Sequence, residues 1–186
     1  DKVTGWSGDN GHKATVSLDT EVKAEGSVKV EFPAPTADGT FGGIFYLDFA
    51  DYYDFSNYTY LELDFYASEG VTSGGLQANL VTNNEAGTIG DGLNMNAGLN
   101  DTAAKTWKTV KYNIDTASVI QDKNPDITRI NRIRFAYLNY KNMDKNTFYI
   151  ANVRLTGIKD PSKAGPAVVL KGDNEPEPPT ETPMLL

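Results

Sequence analysis

The sequence predicts an all-β chain, a two-sheet β-sandwich of jelly-roll, galactose-binding-domain-like type, and three observations predict it. Residues 59–67, TYLELDFYA, alternate without a slip: Leu61, Leu63, Phe65 and Ala67 point one way, Tyr60, Glu62, Asp64 and Tyr66 the other. Successive strand side chains face opposite sides of a sheet, so this segment has one core face and one outer face. Further alternating segments recur from Lys13 onward, separated by Gly, Asn and Asp. Many short strands with turn signals between them argue for a sandwich. Finally, no stretch keeps a helical 3.6-residue period for three turns.

Taken in order, strands are expected over 14–19, 27–32, 43–49, 58–67, 76–82, 106–114, 131–138 and 147–156. The period of two selects the inward sets: Val28, Val30 and Phe32; Leu76, Ala78 and Leu80; Val110, Tyr112 and Ile114. In 131–138, Ile133 and Phe135 look inward, which carries Tyr137 inward and turns Arg134 and Ala136 outward; a bulge would let Tyr137 emerge at the strand exit. Residues 116–121 have room for a single helical turn. Trp107 is expected to pack the sandwich edge, and one of Tyr52 and Tyr53, in an acidic segment, to face solvent.

The segment 83–101, NNEAGTIGDGLNMNAGLND, reads as one long loop, and long loops in compact domains tend to be functional or mobile. Its Gly-Asp-Gly at 90–92 lacks the following helix that a phosphate site needs. Asn94, Asn96 and Asn100 suit hydroxyl recognition, because each amide carries both donors and acceptors. After Ile158 the composition changes to a breaker cluster and then to NEPEPPTETP. Pro prevents regular pairing and Glu keeps the segment solvated. The expected organisation is therefore a domain over 1–158 and a disordered Pro/Glu-rich linker over 159–186, of the kind that joins modules in a longer protein.

Composition narrows function. A net charge of −8 and 17 Lys plus Arg against 25 Asp plus Glu argue against nucleic acid or an anionic membrane as partner. The absence of cysteine excludes thiol catalysis and zinc–thiolate sites. Ten Tyr against a single His is the composition of a binding surface. That one histidine, His12, reads as an exposed turn residue without an evident triad partner. Glycosidases use two carboxylates ~5–10 Å apart on opposite sides of a bond, whereas Glu62 and Asp64 lie side by side on one strand face. Asp9, Asp19, Asp51 and Asp54 are available to a calcium ion, yet no EF-hand-like spacing appears. No catalytic residue, no metal ligand and no cofactor is assigned, a structural calcium being conceivable and not favoured. Tyrosines interleaved with carboxylates are the mixture that stacks on sugar rings and binds their hydroxyls; β-propensity alone also accounts for the tyrosines.

The order of Trp6, EGSVKVEF (25–32), DGTFGGIFYLDF (38–49), DFSNYTYLELDFYAS (54–68), GDG (90–92), WKTVKYNI (107–114), NRIRFAYLN (131–139) and FYIANVRLTG (148–157) resembles the family 11 carbohydrate-binding modules of bacterial glucanases, over roughly residues 5–157. The resemblance implies a jelly roll that binds a single glucan chain in a cleft on its concave sheet, by stacking and polar contacts and without catalysis. Carried over residue by residue, the family's cleft tyrosine falls on Tyr137, its Gly-Asp-Gly aspartate on Asp91, and further polar positions on Asn94, Asn131 and Arg134. Two cleft tyrosines are replaced, by Asp9 and Thr40, and the calcium-binding Asp of the last strand is Ala151. The binding surface is therefore rebuilt.

The expected protein is a non-catalytic, extracellular or cell-surface module that binds a polysaccharide or oligosaccharide, as a monomer within a multidomain chain. Trp6 (flanked by Gly5 and Gly8), Tyr46 and Tyr137 are the expected stacking aromatics; Asp91, Asn94, Asn131 and Arg134 are the polar partners. Loss of two stacking positions favours a curved α-glucan such as starch slightly over a β-glucan. A salt bridge to Glu62 or Asp64 is the other reading of Arg134. The rival classes are a structural or protein-binding sandwich of a surface adhesin, which needs an exposed apolar patch or a free strand edge, and a glycan-active enzyme domain.

Overall fold

The computed structural model describes residues 5–8, 14–23, 26–32, 43–82, 92–120, 125–138 and 146–163. Within them run strands β1 (Trp6–Gly8), β2 (Thr15–Asp19), β3 (Ser27–Glu31), β4 (Gly43–Tyr53), β5 (Tyr58–Ala67), β6 (Gly75–Val81), β7 (Gly92–Gly98), β8 (Lys108–Asn113), β9 (Ser118–Ile120), β10 (Ile130–Leu138) and β11 (Thr147–Ile158). Single 3-10 turns occupy Ile114–Thr116 and Pro161–Lys163. One sheet has six strands in the order β1-β4-β10-β6-β7-β9 and the other five in the order β2-β3-β11-β5-β8; every pairing is antiparallel. This is the predicted β-sandwich. Among the described residues no helix is long and apolar enough to cross a membrane.

The period of two carries through to packing. Leu61, Leu63, Phe65 and Ala67 of β5 are fully buried, as are Leu76, Ala78 and Leu80 of β6, and the expected inward sets of β3 and β8 join the same core. An aromatic cluster joins the two sheets through Phe148 and Tyr137. Phe148 meets Phe65 and Tyr137 edge-on, each at 4.7 Å between ring centroids, and Phe32 lies 5.1 Å from Phe148.

Two expectations about elements are corrected. Residues 92–98 form strand β7 and are not loop, because Leu93, Met95 and Ala97 alternate inward while Asn94 and Asn96 alternate outward. The Gly and Asn content had hidden a regular strand whose apolar half is only three residues. The strand expected to end at Phe49 continues to Tyr53, so Tyr52 and Tyr53 are strand residues; Tyr52 is exposed and Tyr53 packs edge-on against Phe49. Beyond β11, the Asn57 side chain accepts from the Asp160 N–H and donates to the Asp160 carbonyl, which ties the chain to the sandwich as far as the Pro161–Lys163 turn.

Candidate functional site

The two outer faces of the sandwich differ in the groups they carry. On the five-stranded sheet the charged groups of β5 are engaged with one another's neighbours. Glu62 pairs with Lys111 at 3.0 Å and with Arg154 at 3.2 Å; Asp64 pairs with Arg154 at 3.1 Å and accepts from Asn152 Nδ2 at 2.8 Å. Partial burial alone would raise both carboxyls. The hydrogen bond from Lys111 to Glu62, those from Asn152 and Arg154 to Asp64, and the surrounding cations outweigh it and hold both below the usual carboxylate range. The rings are engaged too: Lys111 sits 4.1 Å from the Tyr60 ring centroid, and Tyr66 lies between Trp107 and Tyr149 at 5.3 and 5.4 Å. Lys23 covers Trp107 at 5.2 Å. The tyrosine–carboxylate alternation of β5 thus builds a surface of ion pairs and ring contacts.

The six-stranded sheet is arranged differently. Its register places Ser7, Tyr46, Arg134, Asn79, Asn94 and Ser118 in one outward row that crosses all six strands. The row on one side holds Ile44, Ala136, Gln77 and Asn96; the row on the other holds Asp48, Arg132 and Val81. Arg132 donates through Nε to Asp48 Oδ1 and through Nη2 to Asp48 Oδ2 at 2.9 Å, the forked geometry that fixes a guanidinium in one plane. That plane lies 4.5 Å from the Tyr46 ring centroid, with Arg134 on the same ring at 5.9 Å. Two cross-strand amide pairs complete the face: Asn79 Nδ2 donates to Asn94 Oδ1 at 3.1 Å, and Gln77 Nε2 to Asn96 Oδ1 at 3.3 Å. Tyr46 also packs on a small apolar patch of Ile44, Ala136 and Leu138.

Tyr46, Arg134 and Asn94 are brought together in that single row, with Tyr46 and Asn94 half-buried and Arg134, 1% exposed, buried within it. Asn131 sits on the same strand as Arg134, at the irregularity between Ile130 and Arg132. Trp6 and Tyr137 are corrected to core residues. Trp6, 7% exposed, is stacked on Phe45 and Phe135, and Tyr137, 2% exposed, is wedged among Phe32 and Phe148. No bulge falls between Arg132 and Tyr137, so the inward parity set by Ile133 and Phe135 holds to the strand exit. The salt bridge from Arg134 to Glu62 or Asp64 is also corrected, since those carboxylates belong to the other sheet and are held by Arg154. Asp91, like Asp9, His12 and Thr40, lies outside the described residues. Gln77, Asn79, Arg132 and its partner Asp48 join the candidate face and were not singled out from the sequence, although the alternation that buries Leu76, Ala78 and Leu80 sets Gln77 and Asn79 on the opposite side.

Chemically this face offers an aromatic ring, fixed guanidinium groups and paired amides, the equipment for binding a neutral polar surface. Among the described residues Asp48 is the one carboxylate in the three rows, and it is held by Arg132. Among the described residues no three His, Cys, Asp or Glu side chains converge as metal ligands. Asp19 instead accepts from the Val22 N–H and Asp54 from the Ser56 N–H, as ordinary turn acids. A recess of about 480 Å³ at one end of the sandwich is lined by Leu93, Ile114, Pro125 and Ile127 with acids at its rim. Asp115 is paired with Lys159, which also lines the recess, and Asp126 accepts from Thr128; the recess carries no aromatic ring, and the six-stranded face is taken as the candidate site.

Comparison with known proteins bears on this assignment. A family model described as carbohydrate binding domain 30 matches residues 1–157. No curated protein matches the chain. Among solved structures, the fold is similar to a family 11 carbohydrate-binding module of Clostridium thermocellum in complex with a β-1,3-1,4-mixed-linked tetrasaccharide, at 19% identity and TM-score 0.54, covering 85% of this chain and 92% of that one. It is similar to a family 30 module of a cellulosomal cellulase of Clostridium thermocellum, at 15% identity and TM-score 0.56, covering 84% and 94%. It is also similar to a family 28 module specific for non-crystalline cellulose, at 15% identity and TM-score 0.57, covering 82% and 88%.

Proposed function

The chain belongs to the carbohydrate binding domain 30 family and is a non-catalytic carbohydrate-binding module, and from that premise we propose that it binds a single glucan chain on the outer face of its six-stranded sheet. The row through Tyr46 and Asn94, flanked by Arg132, Gln77 and Asn96, carries the reading, because it sets an aromatic ring, a guanidinium and amides on one face, while Arg134 and Asn79 lie fully buried in the same row. Stacking supplies apolar contact and the polar groups fix orientation. Such sites are shallow and wet, so single-site affinity is modest and is raised when modules are tethered together.

The lean towards an α-glucan rests only on the replacements at Asp9 and Thr40. The mixed-linkage tetrasaccharide bound to one similar structure and the non-crystalline cellulose specificity of another support a soluble or amorphous β-glucan as the ligand. A secreted or cell-surface setting fits the cellulosomal origin of the similar family 30 module, and a monomer within a multidomain chain fits a Pro/Glu-rich segment after residue 158. Affinity gel electrophoresis against mixed-linkage β-glucan, hydroxyethyl cellulose, xyloglucan, mannan and starch tests the reading. Retardation by a β-glucan, reduced in Tyr46→Ala, is the expected result. A domain that ignores all five polymers is not a glucan binder, and one retarded by starch alone reverses the linkage preference.

A further inference from the structure

We propose that the recess at the end of the sandwich is the seat of this chain's own C-terminal segment, with the apolar run at 167–170, AVVL, lying on its floor. The connector expected from residue 159 then begins only after residue 170. The floor is formed by Leu93, Ile114, Pro125 and Ile127, of which Leu93 and Ile127 are only partly buried. Val119, the register partner of Leu93 on β9, is 48% exposed, and β9 stands last in the order of its sheet. Residues paired across neighbouring strands share a face, so Val119 extends the apolar floor beyond Leu93. Apolar side chains gathered at one place and left partly in water favour a group that covers them.

The choice of occupant follows from where the described residues end. Backbone hydrogen bonds hold the wall of the recess and the departing chain at one place: the Phe55 N–H donates to the Ile127 carbonyl at 3.0 Å and the Lys159 N–H to the Asn57 carbonyl at 2.9 Å. Lys159 and Ser56 themselves line the recess. The Lys163 N–H donates to the Asp160 carbonyl at 3.1 Å, so the chain has advanced by a single turn when it reaches Lys163. An extended chain covers about 3.3–3.6 Å per residue, and the four steps from Lys163 to Ala167 therefore span at most about 14 Å. Residues 167–170 are the first apolar run after β11, in contrast to the polar NEPEPPTETP beyond it. Lys171, directly behind the run, carries the charge that suits the rim carboxylates of Asp115 and Asp126. A segment tethered this closely meets the recess at a high effective concentration, an advantage that a free partner or a second copy lacks.

The chain has no cysteine, so an introduced pair supplies its only thiols. In the full chain, Ile127→Cys is combined with Val169→Cys, and Leu18→Cys with Val169→Cys serves as the control. Leu18 is 65% exposed on β2, at one edge of the five-stranded sheet, whereas β8, which leads into Ile114, forms the other edge. Dilute protein is oxidised mildly, and peptide mapping by mass spectrometry separates intrachain from interchain disulfides. A disulfide needs the two Cα atoms within about 7 Å, so the expected intrachain yield is about five- to tenfold higher for 127–169 than for 18–169. Val119→Cys takes the place of Ile127→Cys if that variant fails to fold. Truncation after Lys163 is expected to lower the melting temperature by about 2–4 °C, and Val168→Asp with Val169→Asp in the full chain reproduces the fall. Equal intrachain yields from the two pairs overturn the inference, whatever the melts show. A 127–169 disulfide formed mainly between chains assigns the recess to a second copy and overturns it equally. A truncated protein that melts together with the full chain overturns the extension of the domain to residue 170.

Discussion

Trp6 lies nearly parallel to Phe135, with ring centroids 5.9 Å apart and planes 13° from parallel, and Phe45 closes the triangle at 6.3 Å from Trp6 and 5.2 Å from Phe135. The three rings come from β1, β4 and β10, so the indole fastens the edge strand of the six-stranded sheet onto its interior. An indole committed in this way has no face to offer a sugar.

Trp6→Ala is accordingly expected to lower stability by about 3–5 kcal/mol, the cost of emptying a large aromatic site in a core. Urea unfolding followed by fluorescence measures it. Binding per folded molecule stays at the wild-type value, and a selective loss of glucan affinity in a stable Trp6→Ala protein would return the residue to the site.

Tyr46 is expected to behave in the opposite sense. Its ring stands on the outer face beside Arg132 and Arg134, so Tyr46→Ala costs about 1–2 kcal/mol of binding, as a central aromatic contact does. Tyr46→Phe keeps the ring and most of the affinity. Gel retardation of the two variants in the same β-glucan gel separates the ring from its hydroxyl.

Stability is expected to fall in acid partly through β5. Glu62 and Asp64 have folded pKa values below their ordinary ones, so the unfolded chain binds protons more readily than the folded one in the acid range. The sign follows from linkage: their stabilisation is present above the unfolded carboxylate range, about pH 4, and is lost as pH falls through the depressed folded values. Urea midpoints at pH 7, 5 and 3 record the decline. Arg154→Met, which removes the cation shared by both carboxylates, makes it shallower, and an unchanged pH slope would show that the pairing with Arg154 contributes nothing.

Gly92→Ala tests the entry to β7. Gly92 has φ +110°, and a Cβ there would stand 2.3 Å from the Leu80 carbonyl oxygen. Backbone strain of this kind costs about 1–3 kcal/mol, before the displaced β6–β7 pairing is counted. A thermal melt and a binding isotherm are both expected to suffer, because β7 carries Asn94 and Asn96. The glycine in the Gly-Asp-Gly stretch is thus required by the close approach of two strands. A Gly92→Ala protein as stable as the wild type would remove that requirement.

What the sequence determined by itself is the face each side chain takes. A period of two is a local property of an extended backbone, so the burial of Leu61, Leu63 and Phe65, the inward turn of Tyr137 and the outward turn of Arg134 were all legible from alternation. The strand Gly92–Gly98 was legible in principle by the same rule, but its Gly and Asn residues resemble a loop. Tertiary structure alone decided which strands share a sheet. Arg134 and the pair Glu62 and Asp64 point outward from different sheets, so the ion pair their charges suggested cannot form, while Arg154, adjacent to β5 through pairing across 92 residues of sequence, takes both carboxylates. Trp6 had no parity to read, because a strand of three residues has too few positions to establish a period, and only its contact with Phe45 and Phe135 placed it. The proposed site is a row perpendicular to the strands, through Tyr46, Arg134, Asn79 and Asn94. Residues that meet through register across strands far apart in sequence leave no local signature, which is why the face was found only when the sheet was complete.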